Sequence, residues 1–162
     1  ITNQDLNSWE GTEFVRLGDG VKPFAVITYT LKGMPLIYTG QEVGMNRAFK
    51  FFEKDKAPDW TKNEMFAFYK KLNELKHSQA ALAAGEKGGE MVRFLTYSPN
   101  IYVFARKLPD SEVLVYLNLS KEPATLSFKG EAPKGDFTDY FVGKKTTLPT
   151  SMAPWEYKVF VK

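Results

Sequence analysis

Cysteine is absent from the 162 residues, and histidine occurs once. The first absence excludes a disulfide framework, thiolate chemistry and any Cys-held metal site. It leaves the redox compartment open, because many secreted proteins also lack Cys. No zinc-ligand spacing, nucleophile elbow or Gly-rich phosphate cradle occurs either. Long apolar runs are missing: the stretches from Phe24 to Leu31 and from Met34 to Tyr38 are separated by Lys32 and Gly33, and neither could cross a bilayer. Charge of one sign is missing too. Twenty-two Lys and Arg stand against 19 Asp and Glu, a net +3 scattered without a basic stripe, so nucleic acid and membrane are excluded as expected partners. No signal peptide, internal repeat or low-complexity segment is visible in these residues, and a chain that starts in the middle of an element could have lost a leader upstream. With 43% hydrophobic and 15% aromatic residues, the chain can bury one good core or two small ones.

The halves differ in grammar. In the first, Gly18-Asp19-Gly20 leads into VKPFAVITYTLKG, where Pro23 suits a first helical turn and Phe24, Ile27 and Leu31 recur at helical spacing, with Gly33 as the stop. MPLIY follows, a short continuous apolar run of the kind a strand buried on both faces displays, so a βαβ crossover is expected. WTKNEMFAFYKKLNELKH predicts an amphipathic helix with Met65, Phe68, Tyr69, Leu72 and Leu75 on its apolar face. Thr61 with Glu64 reads as its capping box, and Trp60 with Met65 as its staple.

From GEKGGE onward the period becomes two. MVRFLTYS, IYVFARKL, EVLVYLNLS, ATLSF, DFTDYF and WEYKVFV are strand candidates, separated by Ser98-Pro99-Asn100, Pro109-Asp110, Lys121-Glu122-Pro123 and Gly143-Lys144-Lys145. Six or seven short strands without a helix predict an antiparallel sandwich. Two βα units are too few for a closed barrel of eight, which needs roughly 250 residues.

TNQD at Thr2 to Asp5, followed after one helix by KGMPLIYTGQEVG at Lys32 to Gly44, resembles the α-amylase family of glycoside hydrolases. In that family the seventh barrel strand ends in Asn-His-Asp, and the eighth carries Gly-x-Pro-x-Ile-Tyr-x-Gly-x-Glu. Gly33, Pro35, Ile37, Tyr38, Gly40 and Glu42 fit the latter pattern. FFEKDKAPDW at Phe51 to Trp60 is similar to the loop before the last barrel helix of bacterial members. An all-β domain closing on an aromatic-rich strand such as PWEYKVFV is similar to the family's C-terminal domain.

The resemblance implies an α/β part followed by an all-β part. Residues 1–82 would be the last two βα units of a TIM-type (β/α)8 barrel, and residues 83–162 an antiparallel β-sandwich. It further implies that the chain is the carboxy-terminal third of a longer retaining glycosidase acting on α-glucosidic bonds of starch-type glucans. The nucleophile and the acid/base would lie before Ile1, leaving this part inactive alone. Asp5 falls at the third carboxylate, which stabilises the transition state. Asn3 and Gln4 fall at sugar-binding positions, and Trp9 on the following loop is the candidate stacking surface for an α-glucan or maltooligosaccharide.

Gln4 departs from the family's His. Its amide can donate a similar hydrogen bond but carries no charge, so a natural tolerance, an introduced change and an altered substrate preference all remain open. By itself Asp5 could also cap a turn. Glu42 reads as part of its loop's structure, His77 as a solvated helix-end residue, Trp60 as the staple and Trp155 as sandwich core or edge. No metal is expected from these residues, although calcium is common in the family. The alternative is a non-catalytic module whose β-sandwich binds glucan or serves only as structure. An unclosed barrel would expose strand edges and self-associate. The family resemblance allows periplasmic or extracellular sites and compels neither.

Overall fold

In the computed structural model, which describes residues 1–162, the period-two pattern becomes eight strands. They are β1 Glu90–Phe94, β2 Ile101–Leu108, β3 Ser111–Asn118, β4 Ala124–Thr125, β5 Phe137–Asp139, β6 Lys144–Thr146, β7 Ser151–Met152 and β8 Tyr157–Val161. Six form one sheet in the order β1-β2-β3-β8-β5-β6, every pair antiparallel. The remaining two, β4 and β7, make a separate antiparallel ribbon. Pro109-Asp110 is the two-residue loop of the β2–β3 hairpin, with Leu108 opposite Ser111, as the turn signal predicts.

Alternation sends side chains of the same strands to opposite faces. Phe104, Val113, Val115, Leu117 and Val159 face a cluster shared with the helices. Ala105, Leu114, Tyr116 and Phe160 face the other way and meet Met152 of the ribbon, with Leu126, Phe128 and Leu148 packed at the margin. Both faces are covered, which is why β2 and β3 read as nearly unbroken apolar runs. The predicted second sheet is thus a two-stranded ribbon on one side, and helices take the other. Lys144 and Lys145, expected in a turn, instead form the edge strand β6 against β5. A short, Lys-bearing strand is a common way to finish a sheet edge.

Three α-helices precede the strands: α1 Glu13–Leu17, α2 Val21–Thr30 and α3 Glu64–Ser78. Pro23 sits in the first turn of α2, which buries Val21, Ala25, Val26 and Tyr29 and ends where Leu31 turns extended, two residues before Gly33. The α3 helix buries Phe68, Tyr69, Leu72 and Leu75 as predicted. Its start differs from expectation. Asn63 is the N-cap, accepting from the Phe66 amide at 3.0 Å, while Thr61 bonds to Asp59 and Glu64 pairs with Lys22. Asx side chains cap as well as Thr, and Asn63 is two residues closer to the apolar run. Trp60 is exposed, two residues outside the position a staple requires. We expect Asn63→Ala to cost ~1 kcal/mol in urea unfolding and Thr61→Ala to leave the midpoint nearly unchanged; the reverse order would restore the Thr61 cap.

No residue before Glu90 belongs to a strand. Ile1 to Asn3 and Met34 to Tyr38 run without ladder partners, because a strand exists only when a neighbour accepts its hydrogen bonds. The predicted βαβ unit is therefore a helix between two unpaired segments, and Met34 and Leu36 are exposed. Where the helices meet the sheet, Arg106 is fully buried. Its Nε donates to the Gly89 carbonyl at 2.9 Å and its Nη1 to the Thr30 carbonyl at 3.1 Å, tying the end of α2 to the chain entering β1.

Candidate functional site

Gln4 and Asp5 open a helical turn that widens into a single π turn over Leu6–Glu10 and stops at Gly11, whose φ is 93°. Such turns recur at functional sites. Asn3 caps it, its Oδ1 accepting from the Leu6 amide at 2.9 Å, so the capping role falls to Asn3 and not to Asp5. Asp5 and Gln4 are exposed. Asp5 and Trp9, four residues apart, lie on the same side of the turn.

This turn is fastened to the segment after the Gly-x-Pro pattern. Asn7, buried, accepts from the Phe49 amide at 2.8 Å and donates to the Arg47 carbonyl at 3.3 Å. Ser8 Oγ donates to the Phe49 carbonyl at 3.1 Å, and Thr12 bonds to Asn46. The partner loop is itself pinned by Asp55, which accepts from the Lys50 and Lys56 amides and from Arg47 Nη1 at 2.7–2.9 Å. Those bonds, the two amides foremost, hold the Asp55 carboxyl below the usual range. Trp9, predicted alone as a stacking surface, touches Phe51 and Phe52 at ring separations of 5.1 and 6.4 Å.

The motif residues form the adjoining turn. Gly40 and Gly44, at φ 84° and 64°, flank a 3-10 turn over Gln41–Val43. A Cβ on Gly44 would lie 2.9 Å from Met65 Cγ, so glycine lets this turn sit on α3. Gln41, which the sequence reading passed over, accepts from the Tyr38 amide at 3.0 Å and donates to the Tyr69 hydroxyl at 2.7 Å. Glu42, half-buried beside it, has one carboxylate oxygen buried without a partner. It borders a cleft of about 600 Å³ with Ile37, Tyr69, Asn73 and His77. Burial pushes the nearby Tyr29 hydroxyl up to about 12, with the Glu42 charge adding to it, and that hydroxyl bonds to Asn73 at 3.0 Å. His77 is exposed in the last turn of α3. Trp155 is half-buried with its ring against Gly20 at the head of α2.

Glu13 is a titratable group that the motifs do not reveal. It is 2% exposed, and one of its oxygens is unpartnered. Burial raises its pKa to about 7, against the opposing pull of Arg16. The unfolded carboxyl titrates near 4.5. Between about pH 4.5 and 7 the folded state therefore holds the extra proton, and stability falls as pH rises, at up to ~1.4 kcal/mol per unit. Urea midpoints of the wild type should decline across that window, and those of Glu13→Gln should decline less; parallel profiles would sink the assignment.

Calcium binds through six to eight oxygens. No group of three His, Asp or Glu side chains that could hold a metal ion occurs in this chain.

No family model matches the chain. It is 34% identical over 107 residues to Neopullulanase 2 of Thermoactinomyces vulgaris, covering 60% of this chain and 17% of that protein. It is 31% identical over 123 residues to Alpha-amylase MalA of Haloarcula japonica, covering 72% and 17% respectively. In fold it is similar to the noncanonic maltogenic alpha-amylase AmyB of Thermotoga neapolitana, with a TM-score of 0.73 at 18% identity over 90% of this chain and 36% of that one. A second neighbour, AmyP in complex with maltose, gives 0.64 at 15% identity over 88% and 34%. The relatives by sequence and by fold are thus amylolytic glycoside hydrolases. Within that class the chain resembles the α-amylase family, over a segment amounting to 17% of the length of the curated relatives.

Proposed function

We propose that the chain is the carboxy-terminal portion of an α-amylase-like retaining glycosidase acting on α-glucosidic bonds of starch-type glucans. Residues 1–82 would complete its barrel and residues 83–162 would form its β-domain. The observation that carries this reading is the presentation of Asp5. It is exposed on a turn that Asn7, Ser8 and Thr12 bolt to the loop following the Gly33-to-Glu42 pattern. Two loops of a barrel's active face would be positioned against each other in this way.

In such a reaction a carboxylate attacks the anomeric carbon while a carboxylic acid protonates the leaving oxygen, the pair standing about 5–5.5 Å apart. Neither belongs to this chain in our assignment. Asp5 supplies negative charge to the oxocarbenium-like transition state and holds hydroxyls of the same sugar, an effect greatest in a water-poor cleft. Gln4 donates a neutral hydrogen bond where the family has His. A purely glucan-binding β-domain has less support, because both faces of the main sheet are covered and Tyr97 is its one large exposed aromatic.

The test is reducing-end release from maltoheptaose. We expect none from residues 1–162 alone, and turnover with retained anomeric configuration when the preceding part is present. Turnover by the chain alone, or inversion, would overturn the assignment of roles.

A further inference from the structure

The cleft beside Glu42 carries a charge that has no counterpart in this chain. It lies between the Gly33-to-Glu42 pattern and one stripe of α3, along which Phe66, Tyr69, Asn73 and His77 follow at helical spacing. Its volume is about 600 Å³, and Ile37, Phe66 and the Tyr69 ring give it apolar walls. Glu42 belongs to the same lining, and its Oε2 is buried without a partner. The donors around it are spent. Gln41 Nε2 donates to the Tyr69 hydroxyl at 2.7 Å, the Tyr29 hydroxyl to Asn73 at 3.0 Å, and Lys70 pairs with Glu74 at 3.8 Å.

Glu42 is not the only acid short of a donor here. Burial pushes the Tyr69 hydroxyl up against the bond from Gln41, and the charges of Glu13 and Glu42 both add to that rise. Glu13 is buried with an unpartnered oxygen of its own. Two such carboxylates within electrostatic reach of one buried hydroxyl call for a cation, because a desolvated charge is costly until it is paired. The neighbouring backbone indicates where the cation comes from. Met34 to Tyr38 have no ladder partner, and Met34 and Leu36 are exposed. The curated relatives and the fold neighbours, meanwhile, extend far beyond the matched segment.

We propose that this cleft receives an arginine side chain, paired to Glu42, from the part of the enzyme that the functional reading above places before Ile1; the proposal rests on that reading. Arginine suits the lining on two counts. Its planar fork meets a carboxylate through two N–H groups and sheds water more readily than an ammonium. Its apolar stem can lie along Ile37 and Phe66. Backbone pairing along Met34 to Tyr38 is compatible with more than one register, whereas a single desolvated ion pair satisfies only one. Glu42 thereby sets the register at which the two parts meet.

The experiment compares the complete enzyme and its Glu42→Gln variant by phenylglyoxal labelling of arginine, mapped by mass spectrometry. One arginine before Ile1 should be protected in the wild type and react about tenfold faster or more in the variant. Thermal unfolding gives the second measurement. Glu42→Gln should lower the midpoint of the complete enzyme but leave that of residues 1–162 alone unchanged or raised, since there it removes an unpaired charge. A lower midpoint in both would assign Glu42 to its own loop and overturn the docking. Unchanged reactivity of every arginine, or a change confined to residues 1–162, would overturn it as well. Dimers of residues 1–162 that Glu42→Gln abolishes would give the cleft to a second copy instead. Reducing-end release from maltoheptaose, read on the same wild-type sample, separates the two readings. A protected arginine in an enzyme that cleaves no α-glucan ends the glycosidase reading and leaves the docking in place; cleavage without a protected arginine does the opposite.

Discussion

In the complete enzyme Asp5→Asn should lower kcat on maltoheptaose by about 10²–10³-fold, with KM changing far less. This is the scale of removing one preorganised electrostatic partner of a charge that develops only in the transition state. In the proposed role Asn would keep the size and part of the hydrogen bonding of Asp but not its charge, so ground-state binding through sugar hydroxyls would survive while oxocarbenium stabilisation would be lost. The same substitution should leave the unfolding midpoint of the chain within ~0.5 kcal/mol, because Asp5 is exposed and makes no capping bond. A fall in kcat of less than threefold would remove Asp5 from the reacting centre. A large fall accompanied by unfolding would assign it to the turn instead.

The largest stability effect should come from Gly88→Ala, at about 3 kcal/mol. Gly88 has an ordinary extended backbone, with φ −77° and ψ 157°, so the cost is steric. A Cβ there would clash with the Ala83 carbonyl oxygen and stand 2.7 Å from Arg106 Nη2. The first is backbone. The second belongs to a guanidinium already committed to the Thr30 and Gly89 carbonyls. The guanidinium cannot retreat without straining those bonds, and two carbonyls losing a buried donor would add to the overpacking. Gly130→Ala is the control, since nothing lies within 4 Å of its added Cβ. Equal urea midpoints for the two variants would show that the segment around Ala83 shifts freely.

What could be read in the chain followed the range of the interactions concerned. The apolar face of α3 and the β2–β3 hairpin were legible because spacing within a dozen residues determines them. The Thr61 cap was misread for a local reason: Asn63 offers an equivalent acceptor two residues on. MPLIY has the composition of a strand, but composition does not supply a neighbour, and the segment stays unpaired. Among the candidate residues, Asn3, Gln4 and Asp5 stand out through a motif and Trp9 as an aromatic on the loop that follows it. Asn7 and Gln41 were not, because their work is done across gaps of 42 and 28 residues, which no local pattern records. Glu13 looks like any surface acid until burial is known. Phe51 and Phe52 were noticed only as part of a loop similar to that of bacterial members, without their contact to Trp9.

The cluster that holds Val26, Tyr29, Leu72 and Leu75 also holds Phe104, Val115, Leu117 and Val159. Grammar changes near residue 83, but the free energy does not divide there. Helices α2 and α3 and the central strands should lose their slowest-exchanging amides together, as one cooperative unit. A β-domain cut free at Gly85 would carry an entire apolar face into water, and one exchanged between relatives would need the matching surface of α3 to travel with it. The buried cluster spans both halves of the chain, and the change of pattern falls inside it.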